Sequence, residues 1–228
     1  HGNRSFTSKC GSADVLEALG ARLDASPQTS RRALDQAGFC FLLAPQYHPG
    51  IAHAGPVRRA LKVRTVMNLL GPCLNPARPP VQLLGVADPR LVEPVARTLL
   101  ALSVERGLVV HGSGLDEVAP HGPTQAIRIA DGALEPLTLT PDLAGVEAQP
   151  VQQIAGGAPA ENAQRLVDLL EGRAGPADVA VVALNAGALL FTAGLADSFR
   201  LGADRAIDAI RSGLARQLLA RFVEASNE

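Results

Sequence analysis

Two short apolar runs constrain the fold most. VQLLGVA (residues 81–87) and GLVVHG (residues 107–112) have strand length and no polar alternation, so they read as buried strands. Arg90 to Val104 lies between them with helical spacing and Pro94 near its start. Downstream, Thr124 to Ala130 and Ala133 to Thr140 flank Asp131-Gly132, a two-residue hairpin signal. Strand, helix, strand, hairpin and then helices predict an α/β fold with a mixed β-sheet flanked by helices.

The remaining elements follow from punctuation. Ser12 is predicted as the N-cap of a helix from Ala13 to Leu19, stopped by Gly20. Ser26-Pro27 starts a helix that reaches Ala37 and closes at Gly38. FCFLLAP (residues 39–45) predicts a buried strand, and Gly50 to Leu61 a helix carrying Arg58 and Arg59. NLLGPCLNPARPP (residues 68–80) predicts a rigid loop. Further helices are expected over Pro159–Leu170, Asp178–Ala193 and Phe199–Ala225. AVVALNAGALLFTAG (residues 180–194) is apolar all round, as a core helix is. Aromatics are 3% of the 228 residues and Trp is absent, so Ala, Val, Leu and Ile must build the core.

Composition narrows the partners. Formal net charge is -1 and no long basic run occurs, which argues against nucleic acid. The apolar runs are too short to span a bilayer and no signal peptide is visible, so no membrane partner is expected. Cys10, Cys40 and Cys73 are an odd set without CxxC spacing, which reads as reduced thiols of a cytoplasmic protein. His1 opens the chain and Met67 is its single methionine, so a segment upstream of His1 is expected.

Three stretches carry chemistry. HGNRSFTSKCGS places Gly2 and Gly11 where backbone can approach a ligand. Asn3, Thr7, Ser8 and Ser12 are neutral donors, and Arg4 and Lys9 add positive charge, ahead of a helix N-terminus. This suits a phosphate or diphosphate; the alternative is a polar loop before a capped helix. Leu115-Asp116-Glu117 sets two adjacent carboxylates after a buried strand, where an α/β sheet binds ligands, and suits Mg²⁺. A solvated acidic turn is the alternative. Arg58 offers a guanidinium fork for a carboxylate, and Arg59 reads as solvent-facing. His48, His53, His111 and His121 lack ligand spacing, GGAPAENA (residues 156–163) reads as a turn and helix start, and no nucleophile with an adjacent base is evident.

HGNRSFTSKCGSAD, VRRALKVRTVMNLLGPCLNPA, VVHGSGLDE and GGAPAENA, in this order, resemble the anthranilate phosphoribosyltransferases of tryptophan biosynthesis over essentially the whole chain. The resemblance implies the C-terminal α/β domain of the nucleoside phosphorylase/phosphoribosyltransferase type, with part of a small helical domain. It makes residues 1–228 one phosphoribosyltransferase domain, with 46–66 packing against an N-terminal helical domain. It implies a homodimer, use of 5-phosphoribosyl 1-diphosphate with Mg²⁺, and a glutamine-amidotransferase partner or fusion.

Carried over by position, His1, Gly2, Asn3, Arg4, Thr7, Ser8 and Ser12 match contacts to phosphoribosyl diphosphate. Asn3 and Arg58 match contacts to anthranilate, Arg58 to its carboxylate, and Asp116 and Glu117 match the magnesium pair. No catalytic residue is assigned. Cys10, Met67 and Cys73 depart from the family's usual Ser, Phe and Leu. The family's GTGGD loop, the Asn-Ser-Thr stretch after it and the Lys before His1 are not in these residues, so residues 1–228 alone are expected to fold in part without catalysing. A pyrimidine nucleoside phosphorylase shares the fold and a Lys-His-Gly stretch, but LLGPCLNP and the acidic pair favour the transferase. An inactive relative that only binds a partner is the non-enzymatic alternative.

Overall fold

The computed structural model describes residues 1–5, 10–52 and 67–228. The chain divides into two compact units. The first comprises His1–Pro76, Gly156–Glu171 and Gly213–Glu228, the second Ala77–Ala155 and Gly172–Ser212.

The second unit holds the sheet. Strands β1 (Val81–Gly85), β2 (Arg106–Gly112), β3 (Thr124–Ala130) and β4 (Ala133–Leu139) lie in the order β1-β2-β3-β4. β1 and β2 are parallel, whereas β2–β3 and β3–β4 are antiparallel, so the sheet is mixed as expected. The β3–β4 turn closes through Asp131 (φ 51°) and Gly132 (φ 75°), both left-handed, which matches the twist of the flanking strands. A helix over Val92–Ala101 connects β1 to β2 and buries Val92, Val95, Ala96 and Leu99, a stripe at helical spacing.

A second apolar layer explains why residues 107–110 of β2 are buried at every position. Leu108, Val110, Ala126 and Leu139 of the sheet pack with Leu184 and Ala188 of the helix Pro176–Thr192 and with Phe199 and Ala203 of the helix Phe199–Arg211. The helix Pro176–Thr192 is not apolar all round: it carries Asn185, and Leu189 is 42% exposed.

The first unit is helical. Its core joins Ala13, Ala21, Leu23, Ala33 and Ala37 to Leu219, Phe222 and Ala225, with Phe39 edge-on to Phe222 at 4.8 Å. Four further expectations change in the chain. The first helix spans Ser12–Ala18 and its N-cap is Gly11, whose backbone is extended (φ -117°, ψ 172°) and whose carbonyl accepts the Val15 N–H at 3.2 Å, so Ser12 is already the first helical residue. Residues 39–45 do not form a buried strand. Leu43 makes one isolated parallel bridge to Gly2, Phe39 is 38% exposed, and a short helix Ala44–Tyr47 begins with Pro45 in its first turn. Gly2 exchanges two backbone hydrogen bonds with Leu42 and Ala44, and among the described residues no ladder continues from them.

The predicted loop over 68–80 is helical at its start, within Met67–Cys73, with Pro72 late enough to be tolerated in so short a helix. The long C-terminal helix is two helices, Phe199–Arg211 and Leu214–Asn227. Gly213 at φ 73° breaks the run in the left-handed conformation, and the two helices belong to different units. Of the helix expected over 50–61, Pro49–Ala52 is described, while Arg58, Arg59 and His53 lie outside the described residues. Thr7, Ser8 and Lys9 also lie outside them.

Candidate active site

In the first unit, the N-terminal run is anchored by carboxylates of the helix Ser12–Ala18. Asp14 Oδ2 accepts the Gly11 N–H at 2.8 Å and the Ser5 N–H at 3.1 Å, which ties the two ends of the 5–11 segment to one oxygen. These bonds, that of Gly11 first, hold the Asp14 carboxyl below the usual carboxylate range. Arg4 donates from Nε and Nη2 to the two oxygens of Glu17 at 3.0 and 2.5 Å, a bidentate pair. Asn3 is exposed and its Oδ1 accepts the Arg4 N–H at 2.8 Å. His1 and His48 meet through their Nε2 atoms at 3.1 Å, so each ring orients the other. Ser12 is exposed at the first position of its helix. The run thus brings His1, Gly2, Asn3, Arg4 and Ser12 to the first turns of the unit.

Asp14 and Glu17 do not figure among the sequence-based site residues. The signal for Asp14 is its place three residues after Gly11, where an acidic side chain folds back on the N-cap amide.

In the second unit, the acidic pair lies just beyond the carboxyl end of β2. Gly112 and Leu115 exchange backbone hydrogen bonds of 2.9 Å in each direction around Ser113 and Gly114, which turns the chain back over the sheet. His111 fixes the turn: its Nε2 accepts the Gly114 N–H at 3.3 Å, so Nδ1 carries the proton and donates to the Val86 carbonyl at 2.8 Å. His121 donates from Nε2 to the Ser113 carbonyl at 3.1 Å. Both histidines thus serve the backbone.

The segment then crosses the sheet where only glycine leaves room. A Cβ at Gly85 would stand 1.5 Å from the Asp116 carbonyl oxygen, and one at Gly112 would stand 2.2 Å from that of Glu117. Immediately after the pair, Val118 is held by Asn185 and the Ala119 N–H donates to the buried Thr124 Oγ1 at 2.9 Å. Gly85, Gly112, Thr124 and Asn185 are the supports that sequence reading missed.

Asp116 and Glu117 are exposed residues, yet protein crowding around the Glu117 carboxyl, and then the Asp116 carboxylate beside it, push the Glu117 pKa up. A Glu117 carboxylate disfavoured by crowding and by the neighbouring carboxylate is one that a cation relieves. Among the described residues no third His, Cys, Asp or Glu completes a metal cluster. This donor set fits Mg²⁺, which is held by one or two carboxylates and fills its shell with water and phosphate oxygens.

The raised pKa has a consequence for stability. The contribution of Glu117 to stability is full below its ordinary value of 4.5 and is lost as pH rises through the higher folded value. Glu117→Gln is therefore expected to raise Tm slightly at neutral pH without divalent cations, and the gap should close below the ordinary value. Melting curves across that range check it; a lower Tm for the variant at neutral pH would contradict the crowding.

The model of the glycosyl transferase family, a/b domain, matches residues 1–216. The chain is 58% identical over all its 228 residues to anthranilate phosphoribosyltransferase of Sorangium cellulosum strain So ce56, covering 66% of that protein. The crystal structure of the Thermus thermophilus anthranilate phosphoribosyltransferase superposes with a TM-score of 0.93 at 40% identity, covering 99% of this chain and 67% of that one. The Saccharomyces cerevisiae enzyme in complex with phosphoribosyl diphosphate and Mg gives a TM-score of 0.88 at 28% identity, covering all of this chain and 64% of that one. The chain thus spans about two thirds of the length of these relatives. Sequence and fold agree across the whole of it, and it belongs to the anthranilate phosphoribosyltransferase family.

Proposed function

We propose that the protein transfers the phosphoribosyl group of 5-phosphoribosyl 1-diphosphate to the amine of anthranilate, releasing diphosphate, in tryptophan biosynthesis. The observation that carries this reading is the Asp116–Glu117 pair, fixed at the sheet's carboxyl end between the Gly112–Leu115 turn and the Asn185 clamp. The bond formed joins the amine nitrogen to the anomeric carbon, the bond broken joins that carbon to diphosphate, and the amine proton leaves to solvent. An aryl amine has a free lone pair at neutral pH, so positioning and leaving-group electrostatics suffice and no triad is needed.

Asp116 and Glu117 would hold Mg²⁺, which supplies positive charge for the departing diphosphate. His1, Gly2, Asn3, Thr7, Ser8 and Ser12 would bind phosphoribosyl diphosphate, and Arg58 with Asn3 would bind anthranilate. Arg4 would act by holding its loop against Glu17 while its remaining N–H groups face the phosphates. We further propose a cytoplasmic homodimer in which 46–66 pack against an N-terminal helical domain, with a glutamine-amidotransferase partner or fusion.

The test is loss of anthranilate fluorescence with phosphoribosyl diphosphate and Mg²⁺, run on the protein at the full length of its relatives, against phosphorolysis of thymidine. A charge-assisted fork is worth ~1.5–3 kcal/mol, so Arg58→Ala should raise the anthranilate KM by about one to two decades and leave that for phosphoribosyl diphosphate little changed. Thymidine phosphorolysis without anthranilate turnover would assign the pyrimidine nucleoside phosphorylase reaction instead.

A further inference from the structure

We propose that Asn185 is a positioning residue for the metal carboxylates, acting through the backbone of Val118. This inference rests on the reading of Asp116 and Glu117 as the magnesium pair. The Val118 N–H donates to Asn185 Oδ1 at 2.9 Å, and Asn185 Nδ2 donates to the Val118 carbonyl at 3.1 Å. The other Nδ2 hydrogen goes to the Val181 carbonyl at 3.0 Å, one turn back on its own helix. The carboxamide therefore offers Val118 the donor and acceptor that a neighbouring strand would offer, with its own orientation fixed by the third bond.

The setting makes this choice of residue informative. Asn185 stands in a helix that otherwise presents Ala183, Leu184, Gly187 and Ala188 to the core, where a carboxamide is costly unless its bonds are made. Aspartate would lack the donor for the Val118 carbonyl, and leucine would lack both partners. On the other side of the pair, Leu115 is fixed by its mutual bonds with Gly112. Asp116 and Glu117 are the only residues between these two fixed points, so their carboxylates project from a backbone held at both ends. Releasing Val118 frees the backbone at Glu117 first.

The test is Mn²⁺ affinity by electron paramagnetic resonance, with phosphoribosyl diphosphate present, in the protein at the full length of its relatives. Asn185→Leu is expected to weaken Mn²⁺ binding about tenfold, the scale on which supports around metal ligands act. Asn185→Asp, which keeps the acceptor for the Val118 N–H, should weaken it less. Leu99→Ala, at a fully buried position on the helix Val92–Ala101, should lower Tm without changing affinity in the folded range. Unchanged affinity in the Asn185 variants overturns the inference, and Asn185→Asp decides if the leucine variant does not fold. A matching loss in Leu99→Ala overturns it too, as a general stability effect. Asp116→Asn/Glu117→Gln separates the two readings. If that double variant binds Mn²⁺ as the wild type does, the metal assignment falls and the inference with it; if it alone loses Mn²⁺, only the role of Asn185 falls.

Discussion

Gly85→Ala is expected to melt about 6–12 °C below the wild type, because overpacking at a site that cannot relax costs ~3 kcal/mol and a chain of this size loses ~2–4 °C per kcal/mol. The new methyl would stand 1.5 Å from the Asp116 carbonyl oxygen and 2.3 Å from its carbonyl carbon, both backbone atoms that no rotamer change can move aside. Either β1 loses its register with β2, or the acidic segment lifts off the sheet. Both routes displace Asp116, so the same variant should also lose divalent-cation affinity. Gly50→Ala is the control: a Cβ there meets nothing within 4 Å, and alanine suits the short helix Pro49–Ala52 better than glycine does. Thermal melts followed by circular dichroism compare the two. Equal melting of Gly85→Ala and wild type would mean that the acidic segment does not cross β1 as described.

The sheet is legible in the sequence because its signals are local. The Asp131-Gly132 turn and the two apolar runs each carry their own register and length, and all four strands fall where they are expected. Phe39–Pro45 misleads for the opposite reason. An apolar run of strand length says nothing about whether a neighbour exists to pair with it, and here Gly2 supplies a single bridge. The break at Ser212-Gly213 is hidden by apolar spacing that continues through it, although a glycine there allows the left-handed turn that ends the first helix.

The candidate site divides along the same line. Adjacent carboxylates after an apolar strand can be picked out by eye. Their supports cannot, because Asn185 lies 67 residues from Val118 in sequence and Gly85 meets Asp116 only once β1 and β2 pair. A lone Asn inside an apolar helix is the available signal, and it marks a residue with an obligation to hydrogen bond rather than a place in the core.

Removing both charges of the pair should have the largest effect on turnover. Asp116→Asn/Glu117→Gln keeps the shape of the segment, its backbone bonds at Leu115 and Val118 and its passage over Gly85. What it removes is the charge that would hold a cation beside a diphosphate leaving group. Charge stabilisation of that kind is worth several kcal/mol in the transition state, so the rate should fall by about two to three decades. The fold should survive, since crowding and the Asp116 carboxylate disfavour the charged form of Glu117 in the native protein.

The most direct measurement is the initial rate of anthranilate fluorescence loss at saturating phosphoribosyl diphosphate, followed through a Mg²⁺ titration of the wild type and this double variant at the full length of their relatives. The account predicts a wild-type rate that rises with Mg²⁺ and saturates, and a variant whose rate stays at least about a hundredfold lower and does not respond to Mg²⁺ in that range. A double variant that follows the wild-type curve would contradict the assignment of Asp116 and Glu117.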